Sequence, residues 1–157
     1  MNDIEANLAL LGITLPSGPA PVANYVPSVI TGTLLVVSGQ ICFGADGRLA
    51  EAHKGKLGAD VSDADGREAA RLCAINILAQ AKAALDGDLG RIRRCVRLGG
   101  FINAAPTYAG LAAIMNGASD LMVEVFGERG RHARSTVGVA ELPADAAVEV
   151  EAMFEIG

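Results

Sequence analysis

The stretch GRHARSTVGVAELPADAAVEVEA, residues 130–152, decides how the chain is read. Two runs of β-formers flank LPAD, and lone charges interrupt both runs. With LPAD as the turn of an antiparallel hairpin, Leu142 faces Asp145, so Arg134 lies opposite Met153, Thr136 opposite Glu151 and Gly138 opposite Glu149. Side chains alternate along a strand, so one face carries Val137, Val139, Val148, Val150, Ala152 and Phe154, and the other Arg134, Thr136, Glu149 and Glu151. The apolar face is expected to pack on helices. On the polar face Arg134 and Glu149 stand roughly 13 Å apart at about 3.3 Å per strand residue, too far for a salt bridge but suited to flanking a small ligand. A guanidinium reads a carboxylate through two parallel hydrogen bonds, and a glutamate orients or deprotonates a water, so this face has the parts for handling a small acid. The plain alternative is a solvated outer face, which charges on a hairpin usually form.

Working outward, TYAGLAAIMNGASDLMVEVFG (107–127) has a helical pattern, expected to weaken at Asn116-Gly117, recap at Ser119 and stop at Gly127. CVRLGGFINAA (95–105) reads as a buried strand whose Gly99 and Gly100 signal a bulge or a close backbone approach. Before it, Ser62 or Asp63 caps a helix with Leu72, Ile75, Leu78, Ala79 and Leu85 at helical spacing, ended by Gly87. Residues 44–66 read as a long loop with a short edge strand at KLGAD. VANYVPSVIT and TLLVVSGQI form a hairpin about Gly32, with Pro27 marking the first run as an edge or bulged strand. Residues 3–11 form a short helix between Asp3 and Gly12. The order predicts an α+β domain with one sheet and both long helices on one of its faces.

The gross composition narrows the function. The chain has 157 residues, 51% hydrophobic, enough for one domain with a real core. Aromatics make up 4%, with no Trp to stack bases, and the formal net charge of -5 repels phosphate chains and anionic membranes, so no nucleic acid or membrane is expected as partner. The N-terminal MNDIEANLALLG lacks the basic start of an export signal, and no apolar run approaches a membrane span. Cys42, Cys73 and Cys95 match neither a disulfide framework nor a C-x-x-C motif, and the expected compartment is a reducing cytoplasm. Cys73 and Cys95 sit in apolar patterns and read as inert buried thiols, while His53 and His132 read as surface residues. No metal is expected: an EF-hand frame with Gly66 at its sixth position puts Val61 first and Leu72 last. Ser135 lacks a G-x-S-x-G frame and a local His-Asp set, so a serine hydrolase is not expected.

The run ARSTVGVAELPADAAVEVEA resembles the C-terminal signature of the Rid (YjgF) family of enamine/imine deaminases, with Ala133, Arg134, Ser135, Val137, Val139, Leu142, Pro143, Glu149, Glu151 and Ala152 in register without a gap. NYVPSVITGTLLVVSGQI is similar to the family segment in which a tyrosine precedes a hairpin ending in SGQ, here Tyr25 and Ser38, Gly39, Gln40. The resemblance implies a chorismate-mutase-like α+β domain over residues 18–157, with residues 1–17 as an N-terminal helical extension. It also implies a homotrimer whose sheets form a central barrel, with clefts between subunits. In those clefts Arg134 would pair with the substrate carboxylate, Glu149 would position the attacking water, and Tyr25, Gly39 and Thr136 would complete the substrate pocket. The implied reaction is hydrolysis of a 2-enamine or 2-imine acid, such as 2-aminoacrylate, to a 2-keto acid and ammonia, without metal or organic cofactor.

Several residues depart from the family pattern. Thr136 stands where the family often has cysteine, and GERGRH replaces the usual hydrophobic and proline approach to the arginine. A polar residue that some members supply from the second helix has Asn116 as its nearest equivalent, reached across a gap. Two other functions are weighed: a non-catalytic trimeric binder of small carboxylate metabolites, and the endoribonuclease label the family sometimes carries, for which the basic run Arg129, Arg131, His132, Arg134 speaks and the net acidity speaks against.

Overall fold

The protein is described from a computed structural model, which covers residues 3–18 and 23–157. Its chain order is α1 (Asp3–Leu10), β1 (Ser28–Thr31), β2 (Leu34–Ile41), α2 (Asp63–Ala84), β3 (Ile92–Asn103), α3 (Leu111–Phe126), β4 (Ala133–Val139) and β5 (Val148–Ile156). The α+β expectation holds. One mixed five-stranded sheet, ordered β1-β2-β5-β3-β4, is covered on one face by α2 and α3.

The helices form where caps and apolar stripes coincide. Ser62 is extended, and its hydroxyl accepts the Asp65 N–H at 3.1 Å, satisfying a donor the first turn of α2 leaves free. Ala69, Ala70, Cys73, Ala74, Ile77, Leu78 and Ala81 then recur along its buried face, and their small size draws α2 close to the sheet and to α3. Helix α1 packs on α3 by burying Ile4 and Leu8 in the same core, and Asn7 Nδ2 donates to Val125 O at 2.9 Å. The expected weak point at Asn116-Gly117 is instead the interior of an unbroken helix, with Ser119 inside it rather than capping it. Gly117 is a contact: a Cβ there would collide with the Arg67 backbone carbonyl on α2, so the bare glycine lets the two helices touch.

The C-terminal hairpin is not formed. Strand β3 lies between β4 and β5, parallel to β4 and antiparallel to β5. The connection through LPAD therefore crosses the end of β3, with Ala144 and Asp145 in the left-handed region at φ 56° and 57°. Asn103, fully buried at that end, holds the crossing. Its side-chain amide donates to Ala146 O at 3.2 Å, its backbone N–H to Ala147 O at 2.9 Å, and its Oδ1 accepts from Lys56 Nζ at 2.7 Å. Lys56 Nζ also donates to Ala140 O, tying the start of the crossing to the same point.

Inserting β3 reassigns the faces. Arg134 aligns with Leu98 and Ala152, and Thr136 with Gly100 and Val150, so both stand on the helix-covered face. Val137 aligns with Phe101 and Glu149 on the outer face and is 47% exposed, and Val139, aligned with Asn103, follows it. The expected sets, Val137 and Val139 with the core and Arg134 and Thr136 with Glu149 and Glu151, are thus exchanged across β4. Val148, Val150, Ala152 and Phe154 do face the core as expected.

Other local expectations are refined. Gly99 and Gly100 continue the ladder without a bulge, the register shifting instead between Ile92 and Arg94 and between Cys95 and Arg97. Their bareness serves close approach: a Cβ on Gly100 would meet Met115 Sδ at 2.5 Å, and one on Gly99 would meet Glu151 Oε1 at 2.7 Å. KLGAD makes isolated bridges, Leu57 to Val61 and Leu57 to Ala104, rather than an edge strand. The first hairpin forms about Gly32, at φ 57° in its turn, but its first strand is only Ser28–Thr31, beginning after Pro27, and Val22 at the start of the expected run lies outside the described residues.

Candidate active site

Alternation along β5 sends Glu149 and Glu151 to the outer face, away from the helices. Glu149 sits between Ile41 on β2 and Phe101 on β3. The β2 register shifts between Val37 and Gln40, and Gly39 within that bulge has no side chain, so the Glu149 carboxylate occupies the volume a Cβ would need. Burial pushes the Glu149 carboxyl above its ordinary value, and the neighbouring Glu151 charge adds to the shift. Glu151 is itself half-exposed and reaches Arg97 Nη1 at 3.4 Å.

Glu149 and Gly39 form one end of a cavity of about 480 Å³, with Tyr25 at its mouth and Ile41, Phe43 and Pro143 among its apolar walls. Tyr25 lies ahead of β1 and is 57% exposed. Ser38 fixes that entry segment, its hydroxyl donating to Val26 O at 2.8 Å and its backbone N–H to Pro27 O at 2.9 Å. Asn76 on α2 anchors the other side by donating to Ile41 O at 3.1 Å and Phe43 O at 3.0 Å. One turn on, Gln80, a residue only 5% exposed overall, also lines the cavity.

Arg134 builds a second centre at the sheet edge. Its guanidinium reaches α3, Nη1 donating to Asn116 Oδ1 at 2.8 Å and Ser119 Oγ at 3.2 Å, and Nη2 to Ala112 O at 3.4 Å. His132 joins this network. Its Nδ1 lies 2.6 Å from Gly130 O, which can only accept, so Nδ1 carries a proton, and Nε2 shares a hydrogen bond with the Ser119 hydroxyl at 2.9 Å. The Ser119 oxygen also accepts from Arg134. The guanidinium stays exposed, with donors to spare for a ligand. Two residues along β4, Thr136 Oγ1 is a buried hydroxyl oxygen without a partner among the described residues.

Within one chain the predicted residues therefore divide. Tyr25, Gly39 and Glu149 share the cavity, while Arg134 and Thr136 stand on the opposite face of the sheet. Asn116 does contact Arg134. His53, read as a surface residue, is 8% exposed, and its Nδ1 is buried without a partner among the described residues. Cys73 and Cys95 are buried as expected. Burial and a hydrogen bond to Cys42 push the Cys73 thiol up, and burial raises Cys95 to about 12.

Sequence reasoning missed Gln80, Asn76 and the Ser119–His132 pair. A glutamine in an alanine-rich helix reads as solvent-facing, and nothing local marks Ser119 and His132 as partners across thirteen positions. Among the described residues no group of His, Cys, Asp or Glu is arranged to hold a metal, and no helix is long and apolar enough to cross a membrane.

Comparison with known proteins bears on what these centres do. Residues 5–155 match the family model described as "YjgF/chorismate_mutase-like, putative endoribonuclease". Protein TCP17 of Trypanosoma cruzi is 47% identical over 154 residues, covering 98% of this chain and 94% of its own. A 2-iminobutanoate/2-iminopropanoate deaminase of Dermatophagoides farinae is 30% identical over 144 residues, covering 92% and 94%. The crystal structure of Atu1372 from Agrobacterium tumefaciens superimposes with a TM-score of 0.91 at 49% identity, covering 99% of this chain and 93% of that one.

Proposed function

The chain belongs to the YjgF/chorismate-mutase-like family, and on that premise we propose that it hydrolyses small 2-enamine or 2-imine acids to 2-keto acids and ammonia. The observation that carries this reading is the Glu149 carboxylate, half-buried over Gly39 in the cavity wall with its proton affinity raised. A carboxylate shifted toward neutrality is a better base than a solvated one. The 30% identical deaminase of Dermatophagoides farinae supports the reaction class.

In the proposed reaction an enamine first takes a proton from solvent at C3 to become the iminium. Glu149 draws a proton from a water as its oxygen bonds to C2, giving a tetrahedral carbinolamine. The same carboxyl then returns that proton to nitrogen, the C–N bond breaks with its electron pair leaving on ammonia, and the carbonyl forms as the carbinolamine hydroxyl releases its proton to solvent, balancing the one taken up at C3. The electrophile is already present in the imine carbon, so positioning and one acid-base group suffice. Arg134 holds the substrate carboxylate, its guanidinium pre-oriented by Asn116 and Ser119, and Thr136 offers a hydroxyl beside it.

Because Arg134 and Glu149 face opposite ways in one protomer, the site we propose forms between protomers, Arg134 and Thr136 of one meeting Tyr25, Gly39 and Glu149 of the next. The exposed apolar strand residues Val29, Ile30 and Val137 support such an assembly, and a homotrimer is the form we propose. Residues 1–17 are proposed as an addition to the catalytic domain. The net charge of -5 disfavours the ribonuclease reading.

The test generates 2-aminoacrylate in situ with a serine dehydratase and follows 2-keto acid release. Acceleration by the purified protein that disappears in Glu149→Gln and falls steeply in Arg134→Ala is expected; no acceleration, or full activity in either variant, defeats the proposal. Carboxylate binding without turnover would leave the non-catalytic binder standing.

A further inference from the structure

The cavity that begins at Glu149 is far larger than a three-carbon enamine acid needs. At about 480 Å³ it falls within the roughly 300–1,000 Å³ of sites that enclose drug-sized ligands. The groups at its far end are specific. Asn76 spends its amide N–H groups on the Ile41 and Phe43 carbonyls, which leaves Asn76 Oδ1 as an acceptor. Gln80 follows at i+4 on the same helix face, roughly 6 Å further from Glu149. Gln80 as a whole residue is only 5% exposed, and its amide lines the cavity without a hydrogen-bond partner among the described residues. The 16–18 segment closes over it: a Cβ on Gly18 would come within 2.6 Å of Gln80 Nε2.

An amide in a cavity wall with no protein partner keeps its donors and its acceptor for whatever enters the cavity, which a leucine at this position of an alanine-rich helix would not. We propose that Gln80 is the specificity-determining residue of a side-chain subsite in this cavity, recognising an uncharged group that both donates and accepts hydrogen bonds, a carboxamide or a hydroxyl, at the end of the substrate's side chain. Such a group gives a hydrogen to Gln80 Oε1 or Asn76 Oδ1 and takes one from Gln80 Nε2. A terminal carboxylate cannot donate, and a terminal ammonium cannot accept. Ile41, Phe43 and Pro143 cover the methylenes between the two ends.

This inference rests on the proposed function for its orientation, since the carboxylate end is assigned to Arg134, and equilibrium binding separates it from turnover. The probes are glutaramate, the monoamide of pentanedioate, and 5-methylhexanoate, its apolar isostere, titrated calorimetrically into the full-length protein. Wild-type protein is expected to prefer glutaramate at least about tenfold. Gln80→Leu and Gln80→Met, near-isosteric replacements that avoid a cavity, are expected to abolish or invert the preference while binding 5-methylhexanoate at least as well. Equal affinities in wild type, no binding of either probe, or a preference that survives both substitutions overturns the subsite. Selective binding without imine hydrolysis would sustain the subsite and defeat the activity.

Discussion

Arg134 and Glu149 project from opposite faces of one sheet, with β3 between their strands: Arg134 aligns with Leu98, and Glu149, three residues further along β3, aligns with Phe101. Each is finished locally, Arg134 by Asn116 and Ser119, Glu149 by Gly39 and its burial. Neither lacks anything except the other. The proposed site joins them by sharing its ligand between copies of the chain.

Assembly is tested at Val137, an exposed apolar residue on the same outer face as Glu149. Val137→Lys places a charge in the proposed contact, where a buried unpaired charge costs several kcal/mol. Sedimentation velocity is expected to show loss of the oligomer, with the helical circular-dichroism signal retained and deaminase activity falling with it.

Arg134→Ala removes the proposed carboxylate clamp without opening the core, because the side chain is exposed. Charge-assisted hydrogen bonds contribute about 1.5–3 kcal/mol, so kcat/KM is expected to drop about 10- to 100-fold with the melting temperature nearly unchanged. Arg134→Lys recovers little, since an ammonium cannot serve Asn116, Ser119 and a carboxylate together. Ser119→Ala is expected to give a smaller loss, seen mainly in KM.

The pH profile reports Glu149. Its carboxyl must be ionised to take a proton from water, and its affinity for protons is raised, so the acid limb of kcat/KM is expected above the ordinary carboxylate value of 4.5. Glu151→Gln removes the second cause of that shift, and the limb is expected to move to lower pH. Stability carries the opposite sign. The folded protein binds this proton more tightly than the unfolded chain, so its contribution is fully present below the unfolded value and is lost as pH rises through the folded one. Glu149→Gln is expected to remove that dependence in urea melts run across the same range.

Gly117→Ala tests the helix contact. Alanine improves helix propensity by about 1 kcal/mol, but overpacking against the Arg67 carbonyl costs typically 1–3 kcal/mol. The clash is with backbone, which yields less than a side chain, so net destabilisation is expected. For a domain of this size each 1 kcal/mol lowers the melting temperature by about 2–4 °C. An unchanged melting temperature would mean the helices separate freely.

Local chemistry was readable in the sequence; long-range pairing was not. The Ser62 cap, the Gly127 stop and the Gly32 turn each need only a few neighbouring residues, and each is found. LPAD misled because a turn residue fixes where a strand ends, not which strand it pairs with. Whether β5 returns beside β4 or skips over β3 depends on contacts remote from the turn, among them those of Asn103, some forty residues before it. That single insertion turned Arg134 and Thr136 to the other face, since the parity of β4 is set by Leu98 and not by Met153. The residue types of the site were nevertheless legible through the ARS…LP…E signature, which does not depend on the pairing. Gln80 left no trace in the sequence because its meaning lies in what surrounds it.

Strand β5 is the last of the five in chain order and the middle one in space, bordered by β2 on one side and β3 on the other. On a ribosome the two halves of the sheet therefore emerge with their facing edges bare, and no strand can bridge those edges until the final one is released. The closing event is also the one that delivers Glu149 between Ile41 and Phe101. Completion of the sheet and arrival of the proposed base are thus one step, and a chain cut short of β5 would lose both together.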